Sequence, residues 1–343
     1  MGTQKLKLGV IGAWGHFPQV LEETKSMPEV EIVGLAKGMV DEDFSSVQEK
    51  QQSTEHAPVY SDHRQLLAEE KPDVVTVSTR LDRITELAID AANAGCHLIC
   101  EKPLALSHEK LKKLWEAVTT NGVECLAMLN NRADPILAAA QKAVKEGEIG
   151  NVRLLNARKS YRFGNRPEWF GKREIYGGTI PWVGIHALDF IDAVTDSAFT
   201  SVAAMHANTS HPERPECEDV CTMTLGLANG ALATASIDYL RPQAAPTHGD
   251  DWLRIVGDGG IIEAAMARGQ CTLITHDQPQ RELAQVTGQE YFAPFLRLLG
   301  TSGQGQPSPA TRRSFTLTST ALHARDAADR GKVISIPEAT GSS

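Results

Sequence analysis

Cys100-Glu101-Lys102-Pro103 follows an apolar, strand-like run and precedes a polar helix start at Ser107. A lysine at the carboxyl end of a buried parallel strand sits where open α/β sheets gather ligands, and its ammonium can stabilise charge on a reacting oxygen. Glu-Lys-Pro is also a common tripeptide, and a solvated strand end closed by a proline turn fits it equally. A second group with acid–base chemistry is His186. It follows Thr179-Ile180-Pro181-Trp182, where a proline near the first position suits a helix start. Trp182, His186 and Asp189 recur at i, i+4 and i+7, one stripe of that helix. An imidazole there either takes a proton from a substrate hydroxyl, its ordinary pKa of about 6.5 suiting the task, or is a core histidine held by a backbone carbonyl. Trp182 offers a flat face for a sugar ring or fills a core, and Asp189 orients His186, caps a loop or meets substrate. Tyr161, Arg162, Asn165, Arg166 and Trp169 form a polar–aromatic loop that can bind hydroxyls or simply face solvent.

Gly9-Val10-Ile11-Gly12-Ala13-Trp14-Gly15-His16-Phe17 stands where a dinucleotide fingerprint belongs, between a first strand and a first helix. Glycines there allow a tight turn and close approach of backbone to a pyrophosphate. The match is imperfect, because Trp14 and Phe17 replace the second and third glycines, with Gly15 between. An acidic residue about 20 positions on usually bonds the ribose hydroxyls of NAD. Here the second strand ends Leu35-Ala36-Lys37-Gly38, and a lysine pairs better with a 2′-phosphate, which tilts the coenzyme toward NADP. Lys37 as a solvated strand end is the competing reading.

Positioning these groups requires a frame. At 343 residues the chain is long for one core, so two domains are expected. Strands over Leu6–Ile11, Glu31–Ala36, Val59-Tyr60, Val74–Val77, His97–Cys100 and Val123–Met128 alternate with helices, for which Asp62, Asp82 and Ser107 are candidate caps. That alternation predicts a doubly wound parallel sheet over residues 1–128. A helix after Pro135 closes at Gly147 and Gly150. Beyond it, Val152–Lys159, Ser201–Asn208, Val220–Leu227, Ala231–Asp238, Trp252–Val256 and Cys271–Thr275 read as strands, with Asn229-Gly230 a hairpin signal. An open, mainly antiparallel sheet is therefore expected in a second, α+β domain over 129–343. A surface loop at Thr301–Pro309 and a last helix over Thr318–Arg330 complete it. A one-sided sheet must bury its apolar face, so a homodimer or homotetramer is expected.

Net charge is −9, which argues against nucleic acid or an anionic membrane as partner. No apolar run is long enough to span a bilayer, and the opening residues lack a signal-peptide core, so a cytoplasmic protein is expected. Six scattered cysteines give no zinc spacing, and reduced thiols without metal are the reading.

Together these pieces resemble the Gfo/Idh/MocA family of oxidoreductases. The resemblance runs through Ala92-x-x-Gly95-x-His97, Glu101-Lys102-Pro103, Asn131-Arg132-x-x-Pro135, Gly147-Glu148-Ile149-Gly150, Gly177-Gly178-Thr179, Gly184-x-His186-x-x-Asp189, Glu218-Asp219 and the closing helix over 321–332. It implies a Rossmann domain, a second domain with a large open sheet, and NAD(P)-dependent chemistry on a sugar, cyclitol or related small polyol. It further implies a cis proline after Lys102 and catalytic roles for Lys102 and His186; within that frame the residues themselves offer Trp182, Asp189, Tyr161, Arg162 and Trp169 toward substrate. Its coenzyme contacts fall on Gly12, Ala13, Trp14, Gly15, His16, Lys37, Ser78, Thr79, Arg80, Glu101, Lys102, Pro103 and Asn130. Trp182 stands where many relatives carry aspartate, and Thr79-Arg80-Leu81-Asp82 departs from the usual Thr-Pro-Asn. Those departures leave open a non-catalytic, ligand-binding protein that kept the fold.

Overall fold

The computed structural model describes residues 5–299 and 306–337. The chain divides into two compact units: Met1–Met128 with Glu290–Thr318, and Leu129–Gln289 with Ser319–Ser343.

In the first unit strands and helices alternate as β1 (Leu6–Ile11), α1 (Phe17–Thr24), β2 (Val30–Ala36), α2 (Ser45–Lys50), β3 (Val59–Tyr60), α3 (His63–Glu69), β4 (Val74–Val77), α4 (Leu81–Asn93), β5 (His97–Cys100), α5 (His108–Asn121) and β6 (Cys125–Ala127). Their order in the sheet is β3-β2-β1-β4-β5-β6, all neighbours parallel. Helices on both faces explain why β1 and β4 read as continuous apolar runs, with Leu8, Val10, Ile11, Val74, Val75 and Val77 fully buried. At about 1.5–3 kcal/mol for each large aliphatic side chain taken from water, this layer dominates the unit's stability. Asp62 caps α3 through Arg64 N, and Ser107 caps α5 through Lys110 N, as expected. Asp82 does not cap α4. Arg80 holds that position, and Asp82 lies in the first turn, bound by the Arg80 guanidinium.

The sequence does not announce that the chain returns to this unit near its end. There α9 (Phe292–Leu299) buries Phe292, Phe295, Leu296 and Leu299 in the cluster containing Phe17, Val20 and Leu21. Its amino end is capped by a carboxylate from α1: Glu23 accepts from Tyr291 N at 3.1 Å, Phe292 N at 2.8 Å and Ala293 N at 2.9 Å. Of the loop expected over 301–309, residues 301–305 lie outside the described residues. Pro309 already opens the next helix, α10 (Pro309–Arg330), nine residues before the expected start, because Ser308 supplies a cap for Thr311 N.

The second unit contains α6 (Pro135–Lys145), β7 (Val152–Ser160), α7 (Arg173–Tyr176), α8 (Ile185–Ala193), β8 (Phe199–Ala207), β9 (Val220–Leu227), β10 (Leu232–Asp238), β11 (Trp252–Gly257), β12 (Gly260–Ala265), β13 (Gln270–Thr275), β14 (Arg281–Glu282) and β15 (Ile334–Ser335). These form a nine-stranded sheet in the order β14-β13-β12-β11-β7-β10-β9-β8-β15. Only the β7–β10 pair is parallel. The hairpin at Asn229-Gly230 joins β9 to β10, Gly230 taking φ +83°, the left-handed value such turns need. Strand β12 was not foreseen, since Gly257, Gly259 and Gly260 interrupt the apolar pattern. Along β9 and β10 buried and exposed residues alternate, so one face of the sheet is covered and the other carries Met205, Leu232 and Ile274 at 75%, 55% and 41% exposure. Among the described residues no helix is long and apolar enough to cross a membrane.

Candidate functional site

In the first unit the β1–α1 turn is built by two glycines. Gly12 has φ +90° and Gly15 φ +104°. A Cβ at Gly12 would collide with the Ser78 carbonyl oxygen, and one at Gly15 with the Glu101 carboxylate. The turn is thus pressed onto the carboxyl ends of β4 and β5. Trp14 N donates to Ser78 O at 3.1 Å, and Ser78 Oγ donates to Trp14 O at 2.7 Å. Among the described residues no protein group accepts from Ala13 N or Gly15 N. Two free backbone donors in a glycine turn ahead of a helix suit a diphosphate, so this turn fits a dinucleotide despite Trp14.

Glu101, fully buried, ties the turn to the lysine beside it. Its Oε2 accepts from His16 N at 2.7 Å and lies 2.7 Å from His16 Nδ1, while Oε1 accepts from Lys102 N at 3.0 Å. Burial pushes this carboxyl up, but His16 and then the Lys102 ammonium outweigh it and hold it below its ordinary 4.5. A depressed folded-state pKa stabilises the fold above the unfolded value, and that stabilisation fades as pH falls through the folded value. Glu101→Gln should therefore flatten the acid side of the curve of unfolding temperature against pH below about pH 4.5. Curves that stay parallel for both proteins into acid would remove the assignment. The Lys102–Pro103 peptide is cis, as the resemblance implied, and Lys102 is 2% exposed.

At the end of β2, Lys37 is half-buried and its Nζ donates to Val40 O at 3.3 Å. Sequence reasoning overlooked Glu42. Its Oε2 accepts from Gly38 N at 2.7 Å and Met39 N at 3.1 Å, and its Oε1 takes the Thr79 hydroxyl. An acid is thus fixed at the strand end after all, on the following loop rather than at the position the usual spacing indicates. Arg80 is committed to Asp82 at 2.6 and 2.9 Å, which takes its charge away from the coenzyme contact expected of it.

In the second unit His186 stands in the first turn of α8 and is 3% exposed. The expected helix start differs in form: residues Ile180–Gly184 make a π-helical turn that runs directly into α8. Pro181 lacks a donor and Gly184 lacks a side chain, and single π turns recur beside functional residues. Asp189 is fully buried, and its Oδ1 accepts from Arg132 Nε at 2.9 Å, with Asp192 also binding that guanidinium. That bond ties the carboxylate of α8 to the turn that carries Arg132. Trp182 is 5% exposed and edge-on to Phe170 at 6.2 Å, so packing, not an open stacking face, describes it. Trp169 stacks on Phe170 at 4.4 Å, and Asn130 opens the turn over Asn130–Ala133 that carries Arg132.

Tyr161 and Arg162 continue beyond β7. Below Tyr161 lies a group the sequence did not single out, Lys159, fully buried and bonded to Asp251. Burial opposes its charge, but Tyr161 and Asp251 outweigh that and raise its pKa. The six cysteines are buried free thiols, and burial pushes Cys96 and Cys271 up to about 12.

Comparison with known proteins gives two family models on this chain. One, an oxidoreductase family with an NAD-binding Rossmann fold, matches residues 6–128, and the other, a GFO/IDH/MocA C-terminal domain, matches residues 137–263. The solved structure of an oxidoreductase from Thermotoga maritima superposes with a TM-score of 0.89 at 37% identity, covering 96% of this chain and 100% of that one. Levoglucosan dehydrogenase of Pseudarthrobacter phenanthrenivorans is 34% identical over 162 residues, 45% of this chain and 40% of its own. Myo-inositol 2-dehydrogenase of Thermotoga maritima is 25% identical over 279 residues, 80% of each chain.

Proposed function

This chain belongs to the GFO/IDH/MocA family of oxidoreductases, and from that premise we propose that it moves a hydride between a nicotinamide dinucleotide and a hydroxyl or keto carbon of a sugar, cyclitol or related polyol. It is a nicotinamide-dependent dehydrogenase by its dinucleotide-binding domain, and the named sugar and polyol dehydrogenases among its relatives support the substrate class. The observation that carries the reading is the end of β5, where a buried Lys102 is held by Glu101 against the glycine turn. Bound there, the dinucleotide supplies the acceptor or donor of the hydride. Ala13 N and Gly15 N bind its diphosphate. Lys102 Nζ donates to the reacting oxygen and steadies the charge that gathers on it. The His186 imidazole takes the hydroxyl proton during oxidation and returns it during reduction. Tyr161, Arg162 and Trp169 orient the substrate. Arg132, through Asp189, fixes the helix that carries His186.

Coenzyme choice turns on the loop after β2. Lys37 favours the 2′-phosphate of NADP, while Glu42 in the same loop opposes a second negative charge. Of the two, we assign the discriminating contact to Lys37, since Glu42 spends its acceptors on Gly38, Met39 and Thr79. The uncovered face of the nine-stranded sheet, with Met205 and Leu232 outward, packs against a second copy.

Titration with NADH and NADPH, read by energy transfer from tryptophan, tests the core of this reading. Binding of both is expected, with NADPH tighter and the preference reduced roughly tenfold in Lys37→Ala. Light scattering on the same sample should give a mass above one chain. Failure of either nucleotide to bind at about millimolar concentration, a level covering weak sites, would remove the redox function.

A further inference from the structure

We propose that the substrate is an anion: a sugar or polyol bearing a carboxylate or phosphate, held by Arg162 and Arg166 beside His248. The proposal rests on the dehydrogenase reading above and narrows its substrate class. It starts from charge balance at the ends of β7 and β10. Lys159 is bonded to Asp251, and Arg158 and Arg241 both reach Asp250, at 3.0 and 3.3 Å. Asp250 and Asp251 are thereby ion-paired, and Asp238 at the end of β10 accepts from Ser160 Oγ and Leu240 N at 2.8 and 2.9 Å. Among the described residues Arg162 and Arg166 have no carboxylate within ion-pair distance, and the buried Nε of each has no hydrogen-bond partner.

Both guanidinium groups are held in place without being neutralised. Arg166 lies over the Tyr239 ring at 4.2 Å, over Phe170 at 5.1 Å and over Phe163 at 5.7 Å. Stacking of this kind uses the face of a guanidinium and leaves its edge donors for a planar oxyanion. Arg162 donates to Ala245 O and its backbone N donates to His248 O at 3.1 Å, which pins the loop carrying His248 beside it. His248 lies 5.1 Å from the Tyr161 ring and is solvent-exposed. Its pKa is lowered, first by burial and then by Arg166, Arg162 and Lys159, so all three cations act on one imidazole. Two unneutralised, half-buried guanidiniums beside the His248 ring form a receptor for a carboxylate or phosphate; a neutral sugar gives them nothing to balance. The position belongs to the proposed substrate side, since Lys159 also lies over Phe190 of α8, the helix that carries His186.

The test pairs neutral polyols with their carboxylate and phosphate counterparts. Turnover is read as change in reduced nicotinamide, and binding of each compound to the full chain by calorimetry. An anionic member of a pair should exceed its neutral partner by at least about tenfold in kcat/KM or in affinity, and Arg162→Gln and Arg166→Gln should each pull that ratio toward one. The carboxylate and phosphate arms identify the oxyanion. Inorganic sulfate should compete with the anionic compound and not with NADH. Equal handling of neutral and anionic partners overturns the proposal while the dehydrogenase reading stands. So does a fall in NADH affinity in the variants with the ratio unchanged, since the arginines would then serve the coenzyme. Because calorimetry needs no turnover, a chain that oxidises nothing still tests the anion site. Arg162→Lys, which keeps charge but not the fork, covers the case in which the glutamine variants fail to fold.

Discussion

Lys102→Met is expected to lower kcat/KM by about two to three orders of magnitude, the loss usual when one preorganised donor to a developing oxyanion is removed. Methionine keeps most of the side-chain length and apolar stem, so unfolding temperature should move by only a few degrees, about the shift of a volume-conserving swap. The size of the effect follows from how the lysine is held. Glu101 N donates to Val77 O at 2.8 Å, and Lys102 N to the Glu101 carboxylate at 3.0 Å, so the backbone carrying the ammonium is bonded to β4 and to the glycine turn. A donor fixed in advance pays little reorganisation when charge appears on the substrate. Steady-state rates with the accepted coenzyme check this, alongside coenzyme affinity for the variant. A Lys102→Met protein within about threefold of the parent in kcat/KM would show that the reacting oxygen is stabilised elsewhere.

How far the sequence foretold this arrangement depends on how local each signal is. The parallel sheet was legible because β1, β4 and β5 are apolar runs separated by helices with side-chain caps at Asp62 and Ser107, and each of these is a short-range pattern. The Asn229-Gly230 hairpin was legible for the same reason. Capture of α9 by the first unit was not, since its cause is a cap from Glu23, some 270 residues away in the chain. At the site the same division holds. Lys102 and His186 stand in recognisable strings, but the pairs that brace the surroundings of each, within its own unit, join distant positions: Glu101 with His16 and Glu42 with Thr79 in the first, Arg132 with Asp189 and Lys159 with Asp251 in the second. Glu42 illustrates the difficulty best. Its role shows only when the loop after β2 folds back so that one carboxylate meets Gly38, Met39 and Thr79 together.

His186→Asn should prove at least as damaging, lowering kcat/KM by about two to four orders of magnitude, the range for loss of a positioned acid–base group. Asparagine is close in shape and keeps a polar group in a helix turn that is 3% exposed, so the loss reflects proton transfer rather than a hole in the packing. The diagnostic is the pH profile. A base that must be neutral to take a proton gives oxidation a limb that falls toward acid, and that limb should vanish in the variant, leaving a low, flat rate. Asp189→Asn separates catalysis from support. Its carboxylate, on the helix that carries His186, meets the guanidinium of Arg132 from the Asn130–Ala133 turn at 2.9 Å, so the variant should lose roughly tenfold to a hundredfold while keeping the acid limb. The π turn over Ile180–Gly184 bears on the same point, since it sets the rotation at which α8 presents His186. If His186→Asn keeps the acid limb of the parent, another group carries the proton and His186 is a packed histidine after all.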